Sequence, residues 1–277
     1  MRISIHIASI FFILLTIGYP ASAERRILGG IEPVRQETHV WCWLAVGEMV
    51  FRHYGIPQVN FMPNSAAYQC GIIGSLSDPR SRHPCSIYCG NCIIPAGNAE
   101  TMRQMLEIYP VRAGKPILDA THRLAALSMN EIVHEIDAGN PVIIGVSPSG
   151  QPPAFVSEHV ALIAGYDIET NHLLVHDPYP FGSNWSNPYL AAGATPVGSR
   201  GLSYWVSLQA LYTRLQWRET FTLRARNRSM PEFCCTAYGR YGPYENPLPH
   251  LPGSGLMTGE TCFAQIQYQF IPGQVCR

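Results

Sequence analysis

From Trp43 onward the apolar residues Val46, Met49, Val50 and Tyr54 recur at helical spacing, and Gly55 supplies a stop just beyond them. The pattern predicts an amphipathic helix with Cys42 in its first turn. Asn98 is placed to cap a second helix running to about Tyr109, with Met102, Met105, Leu106 and Ile108 apolar. Ser128-x-x-Glu131 is a capping box for a third, which ends at Gly139. After that the rhythm changes. Pro141 to Val146 reads as a fully buried strand, and His159 to Asp167 as a second. A turn near Glu169-Thr170-Asn171 leads to Leu173-Leu174-Val175-His176-Asp177-Pro178, its antiparallel neighbour. Tyr204–Val206 and Trp217–Leu223 supply further strands, with a short helix between them. Helices cluster early and strands late, which predicts an α+β plan of two lobes with a cleft between them.

Two segments stand outside that plan. Behind Met1-Arg2, a mostly apolar run from Ile3 to about Tyr19 ends at Pro20-Ala21-Ser22-Ala23. The run is shorter than the roughly 20 residues that span a bilayer, and the small residues match a signal-peptidase site. A cleaved signal peptide over residues 1–23 is expected, with a secreted or periplasmic mature chain starting near Glu24 and no membrane segment. Beyond about Ser229, aromatics, glycines, prolines and cysteines replace apolar periodicity, as in a small disulfide-stapled module over residues 229–277.

The chain has 277 residues, of which 47 % are hydrophobic and 14 % charged, with a formal net charge of zero. It is long enough to bury a sizeable core, and no net field draws it to nucleic acid or acidic membrane. Export makes the nine cysteines readable. Cys70, Cys85, Cys89 and Cys92 form one group of four, and Cys234, Cys235, Cys262 and Cys276 another. Each group allows three disulfide pairings. The first also has spacing compatible with zinc, an alternative the oxidising compartment disfavours. Cys42 is left over.

That leftover thiol lies where helix N–H groups and the positive end of the helix dipole point at its sulfur. A small buried core residue is the plain alternative. A thiol nucleophile needs a base, and the base needs something to orient it. The predicted hairpin sets His159 at the start of one strand beside Asp177 near the end of the next. His176 precedes Asp177, and strand alternation sends the two side chains to opposite faces.

Three stretches together resemble the papain-like cysteine proteases: Gln36-x5-Cys42-Trp43 opening a helix, His159-Val-x-Leu-Ile-x-Gly-Tyr-Asp167, and His176-Asp177-Pro178. The likeness is nearest to the bacterial branch that includes an avirulence protease delivered into plant cells. It covers roughly residues 34–223, with a Cys-rich insertion at about 62–96 inside a catalytic domain of residues 24–228. It implies a papain-like fold, a helical lobe plus an antiparallel sheet lobe, acting on a protein or peptide substrate without a cofactor or metal. Cys42 would be the nucleophile, His159 the general base and acid, and Asp177 the residue orienting His159. Gln36 would donate its amide to an oxyanion hole shared with the Cys42 N–H. Many relatives carry asparagine where this chain has Asp177. About a dozen residues separate Glu24 from Gln36, so a long inhibitory segment is not expected there, and control would come from elsewhere, such as the tail, or be absent. Trp185, a few residues past Asp177, is either a surface aromatic in a loop, the plainer reading, or a shield over the His159–Asp177 contact. The C-terminal module would bind a partner or simply pad the catalytic domain. The same centre also suits an amidase or acyl-transferase on non-protein amides such as cell-wall peptides. A catalytically inert binding protein on the same frame is the remaining alternative.

Overall fold

A computed structural model describes residues 25–59, 67–76, 89, 92–96, 98–151, 157–182 and 186–225, together with the backbone of four strands between 233 and 276. The expected signal peptide, Cys85, Trp185 and the side chains of the tail lie outside the described residues.

Helix α1 (Cys42–His53) buries every residue from Trp43 to Phe51 and ends where Gly55 adopts a φ of 64°. Helix α2 (Tyr68–Leu76) falls inside the segment expected as a Cys-rich insertion, for which no element was predicted. It is buried from Tyr68 to Ser75, so it has no polar face to mark it as a helix in the sequence. Helix α3 (Ala99–Arg112) opens at Asn98, whose side chain accepts from the Thr101 N–H. It runs three residues past the predicted end at Tyr109 and carries Pro110 inside its last turn, at the loss of the N–H that would bond the Leu106 carbonyl. Helix α4 (Met129–Asp137) has the capping box of Ser128 and Glu131 in full.

The remaining elements are β1 (Arg25–Ile27), β2 (Leu118–Arg123), β3 (Val142–Val146), β4 (His159–Asp167), β5 (His172–His176), α5 (Pro188–Ala191), β6 (Thr195–Pro196), β7 (Ser203–Ser207), α6 (Leu208–Thr213) and β8 (Glu219–Ala225). The fold is α+β. Its main sheet has eight strands, in the order β2-β8-β3-β4-β5-β7-β6, with β1 added against β4, and every pairing is antiparallel. Strands β3 and β4 are buried almost throughout, which is why they read as continuous apolar runs rather than alternations. β1 pairs with β4 only at Gly165–Asp167, past the reach of β3. Gly165 permits this, since a Cβ there would stand 2.6 Å from the Arg26 carbonyl oxygen. One core joins the inner residues of α1, α2, α3 and α4 to those of β3, β4, β5 and β8.

A separate four-stranded antiparallel sheet, in the order β10-β9-β12-β11, is formed by β9 (Phe233–Thr236), β10 (Gly239–Tyr241), β11 (Thr261–Ile266) and β12 (Gln269–Cys276). In the first cysteine group, Cys70 and Cys89 are joined, which removes two of the four sulfurs a zinc site would need, and Cys92 is also disulfide-bonded. Cys42 is a free thiol, as its solitary position in the sequence suggested.

Candidate active site

Cys42 is the first residue of α1, and the tryptophans on either side anchor it. Trp41 and Trp43 are buried; their indole N–H groups donate to the carbonyls of Cys92 at 2.8 Å and Ile94 at 3.3 Å. The helix end is thereby tied to the disulfide-bonded segment, while Cys42 itself stays partly exposed. Trp41, the N-cap, offers no side-chain cap, so the first-turn N–H groups of α1 are left without one.

His159 opens β4, where it meets the thiol. His159 and Cys42 line one cavity of about 370 Å³, where the thiol stands near enough to act on the imidazole's titration. His159 Nε2 donates to Asp177 Oδ1 at 2.8 Å, which leaves Nδ1 for Cys42. Asp177 follows directly on β5 and is 1 % exposed. Its two oxygens are fully engaged: Oδ1 also accepts from the Tyr179 N–H at 2.8 Å, and Oδ2 accepts from the Tyr189 hydroxyl at 2.7 Å. Burial works to lower the His159 pKa, but the adjoining Asp177 carboxylate and then Cys42 outweigh it and raise the value to about 10. Burial and the Asp177 charge push the Tyr189 hydroxyl well above its usual range, so it remains a donor.

The hairpin explains why residues 18 apart meet. Asn171 takes a left-handed φ of 55° in the turn, and β5 returns antiparallel beside β4. His176 goes elsewhere, as alternation predicts. It is buried against Ser203 Oγ at 2.9 Å, and burial pushes its pKa down to about 4.

Of the four sequence candidates, Cys42 and His159 line the cavity, Asp177 stands behind His159, and Gln36 is outside the cavity wall. Its amide nitrogen donates to the Thr38 carbonyl at 2.6 Å, and its buried Oε1 has no partner among the described residues. One amide hydrogen is left over. The Gln36 backbone N–H donates to the Pro178 carbonyl at 3.0 Å, linking this loop to the turn after Asp177.

Four residues that the sequence reading passed over also matter to the site. Tyr189 holds Asp177 and stacks on Tyr204 at 4.5 Å. Its helix start was legible in Asn187-Pro188, but the partner of its hydroxyl was not. Tyr179 and Phe181 set their rings edge-on to His159 at 6.5 and 6.1 Å. Glu219 lines the cavity. It could have been noticed as a carboxylate in phase with Phe221 and Leu223 on the apolar face of a strand.

Chemically, this is a thiol beside an imidazole that a buried carboxylate orients and keeps protonated. The model of the Peptidase C39-like family matches residues 29–194, a span that includes Cys42, His159 and Asp177. The likeness at family level is thus to these peptidases, and nothing supports the narrower avirulence-protease branch. Among solved structures, one from Bacillus anthracis, itself provisionally assigned as a C39-like peptidase, is 16 % identical with a TM-score of 0.35. That match covers 73 % of this chain and 100 % of the other. No curated protein matches the chain.

Proposed function

The chain belongs to the Peptidase C39-like family, a family of cysteine peptidases, and on that premise we propose that it is an exported peptidase that hydrolyses peptide bonds through a thioester. The observation that carries this reading is the alignment of Cys42, His159 and Asp177, with one imidazole nitrogen on the carboxylate and the other free for the thiol.

Cys42 Sγ attacks the scissile carbonyl carbon, and the C=O electron pair moves onto oxygen. The Cys42 N–H at the start of α1 receives that oxyanion, and the spare amide hydrogen of Gln36, in the loop before α1, would become its second donor once that side chain turns into the cavity. The intermediate collapses, the C–N bond breaks, and His159 gives its proton to the departing amine. Water then attacks the thioester while His159 takes its proton. The C–S bond breaks, and the acid is released with Cys42 and His159 restored. Asp177 stays charged throughout and holds the ring in the tautomer the sequence of steps needs.

The test is alkylation of the secreted, unreduced protein with iodoacetamide at pH 6, mapped by peptide, followed by cleavage of a peptide library. Labelling is expected at Cys42 alone and is expected to slow in His159→Ala, whose kcat falls roughly 10²- to 10⁴-fold. Cleavage of peptidoglycan with proteins spared would move the assignment to an amidase. An unreactive Cys42 would favour an inert binding protein.

A further inference from the structure

The cavity that holds Cys42 and His159 carries a second acid that the catalytic steps do not use. Glu219, at the start of β8, is 7 % exposed and lines this cavity together with Trp43, Met102, Val160, Phe221 and Ser157. Glu219 Oε1 accepts from His122 Nε2 at 2.8 Å. Its other oxygen, Oε2, has no hydrogen-bond donor among the described residues. Ser157 Oγ is buried and also unpartnered among them. The two atoms converge beside Gly145, where a Cβ would stand 2.5 Å from Ser157 Oγ and 2.9 Å from Glu219 Oε2. A larger residue in β3 would close this space.

A carboxylate surrounded by apolar walls is costly unless something pairs with it. His122 meets only one of its oxygens. The described lining contains a further carboxylate, Glu158, but no lysine or arginine. The His159 imidazolium in that lining is already paired with Asp177, so the cavity is largely apolar along its sides and, among the described residues, no cation is paired with Glu219 Oε2. Lysine and arginine side chains have matching chemistry: a hydrocarbon stem that packs on apolar surface, and a tip with several donors and no acceptor.

We infer that Glu219, assisted by Ser157, selects substrates with a lysine or arginine side chain close to the scissile bond. The stem runs along Met102, Val160 and Phe221, and the cationic tip donates to Glu219 Oε2 and Ser157 Oγ. The inference rests on the peptidase reading and adds a substrate class to it. Gly145 pairs with Val160 of β4 on one side and Glu219 of β8 on the other, so Glu219 lies two strand spacings, roughly 10 Å, from the strand that carries His159, a span that a basic side chain at one of the two positions nearest the bond can cover.

The test uses the full exported chain and peptidyl acyloxymethyl ketones of equal length, with arginine, lysine or norleucine at each of the two positions nearest the reactive group. The readout is the rate of covalent labelling at Cys42. At one position the basic probes should label roughly 10- to 100-fold faster than norleucine. In Glu219→Gln that ratio should fall to near one, and in Ser157→Ala it should shrink in the same direction. Circular dichroism checks that each variant is folded, and the wild-type ratio stands without any variant. Norleucine labelling as fast as arginine at both positions would overturn the assignment alone, as would an unchanged ratio in folded Glu219→Gln. No labelling by any probe would overturn the peptidase reading and this inference with it.

Discussion

His159 owes its charge to neighbours acting in opposite directions. Burial disfavours the imidazolium, while Asp177 and Cys42 favour it, and the pKa rises from 6.5 to about 10. Because the folded value is the higher one, the stabilisation this group contributes is complete below 6.5 and lost as pH rises through about 10. Asp177→Asn keeps the shape of the contact and removes the charge. Its alkaline limb in kcat/KM should move toward lower pH, so that a shift of about two units costs roughly tenfold in rate at pH 9. A pH–rate profile with an unmoved alkaline limb would show that Asp177 does not set the His159 charge. The three residues involved were legible because each sits at a recognisable local position, a helix start or a strand end. The partner of Tyr189 lies 12 residues away and that of Glu219 lies 97 away, and no local pattern encodes such pairings.

Helix α2 is the element the sequence concealed, and it serves the site at a distance. Gln69 Oε1 accepts from the Glu37 N–H at 3.0 Å, while its amide donates to the Arg35 carbonyl at 3.0 Å and to Glu48 Oε2 at 3.1 Å. One buried side chain therefore clamps the backbone on both sides of Gln36. Gly71 lets the chain pass close by, since a Cβ there would stand 2.3 Å from the Val59 carbonyl oxygen. The Cys70–Cys89 bridge ties α2 to the chain 19 residues on, at the segment that receives the Trp41 and Trp43 indoles. Replacing both cysteines with serine should lower the unfolding free energy by about 3 kcal/mol, the loop-closure contribution for such a span. Chemical denaturation under non-reducing conditions would measure it, and an unchanged midpoint would remove the bridge from the account of stability. The capped helices α3 and α4 were visible beforehand because Asn98, Ser128 and Glu131 act on N–H groups within three residues.

At the scale of the whole chain, the eight-stranded sheet uses only strands before residue 226 and the four-stranded sheet only strands after 232. No strand is shared between them. A chain ending at Arg228 should therefore fold cooperatively and keep Cys42 labelling. Loss of a cooperative melt would show that the tail is part of the catalytic unit, and faster turnover than the full chain would show that the tail restrains it. Sequence alone determined the chemistry on offer: a lone thiol at a helix start, a histidine and an aspartate on adjoining strands, caps, turns and buried runs. All of these are set by groups a few residues apart. Tertiary structure decided what those groups meet. It placed Tyr189 on Asp177, gave Gln36 a clamp from α2 and set Glu219 in the same cavity as Cys42. Such contacts depend on how the sheet orders its strands and how helices seat on it, and the packing that fixes both is summed over the whole core rather than written at any one position.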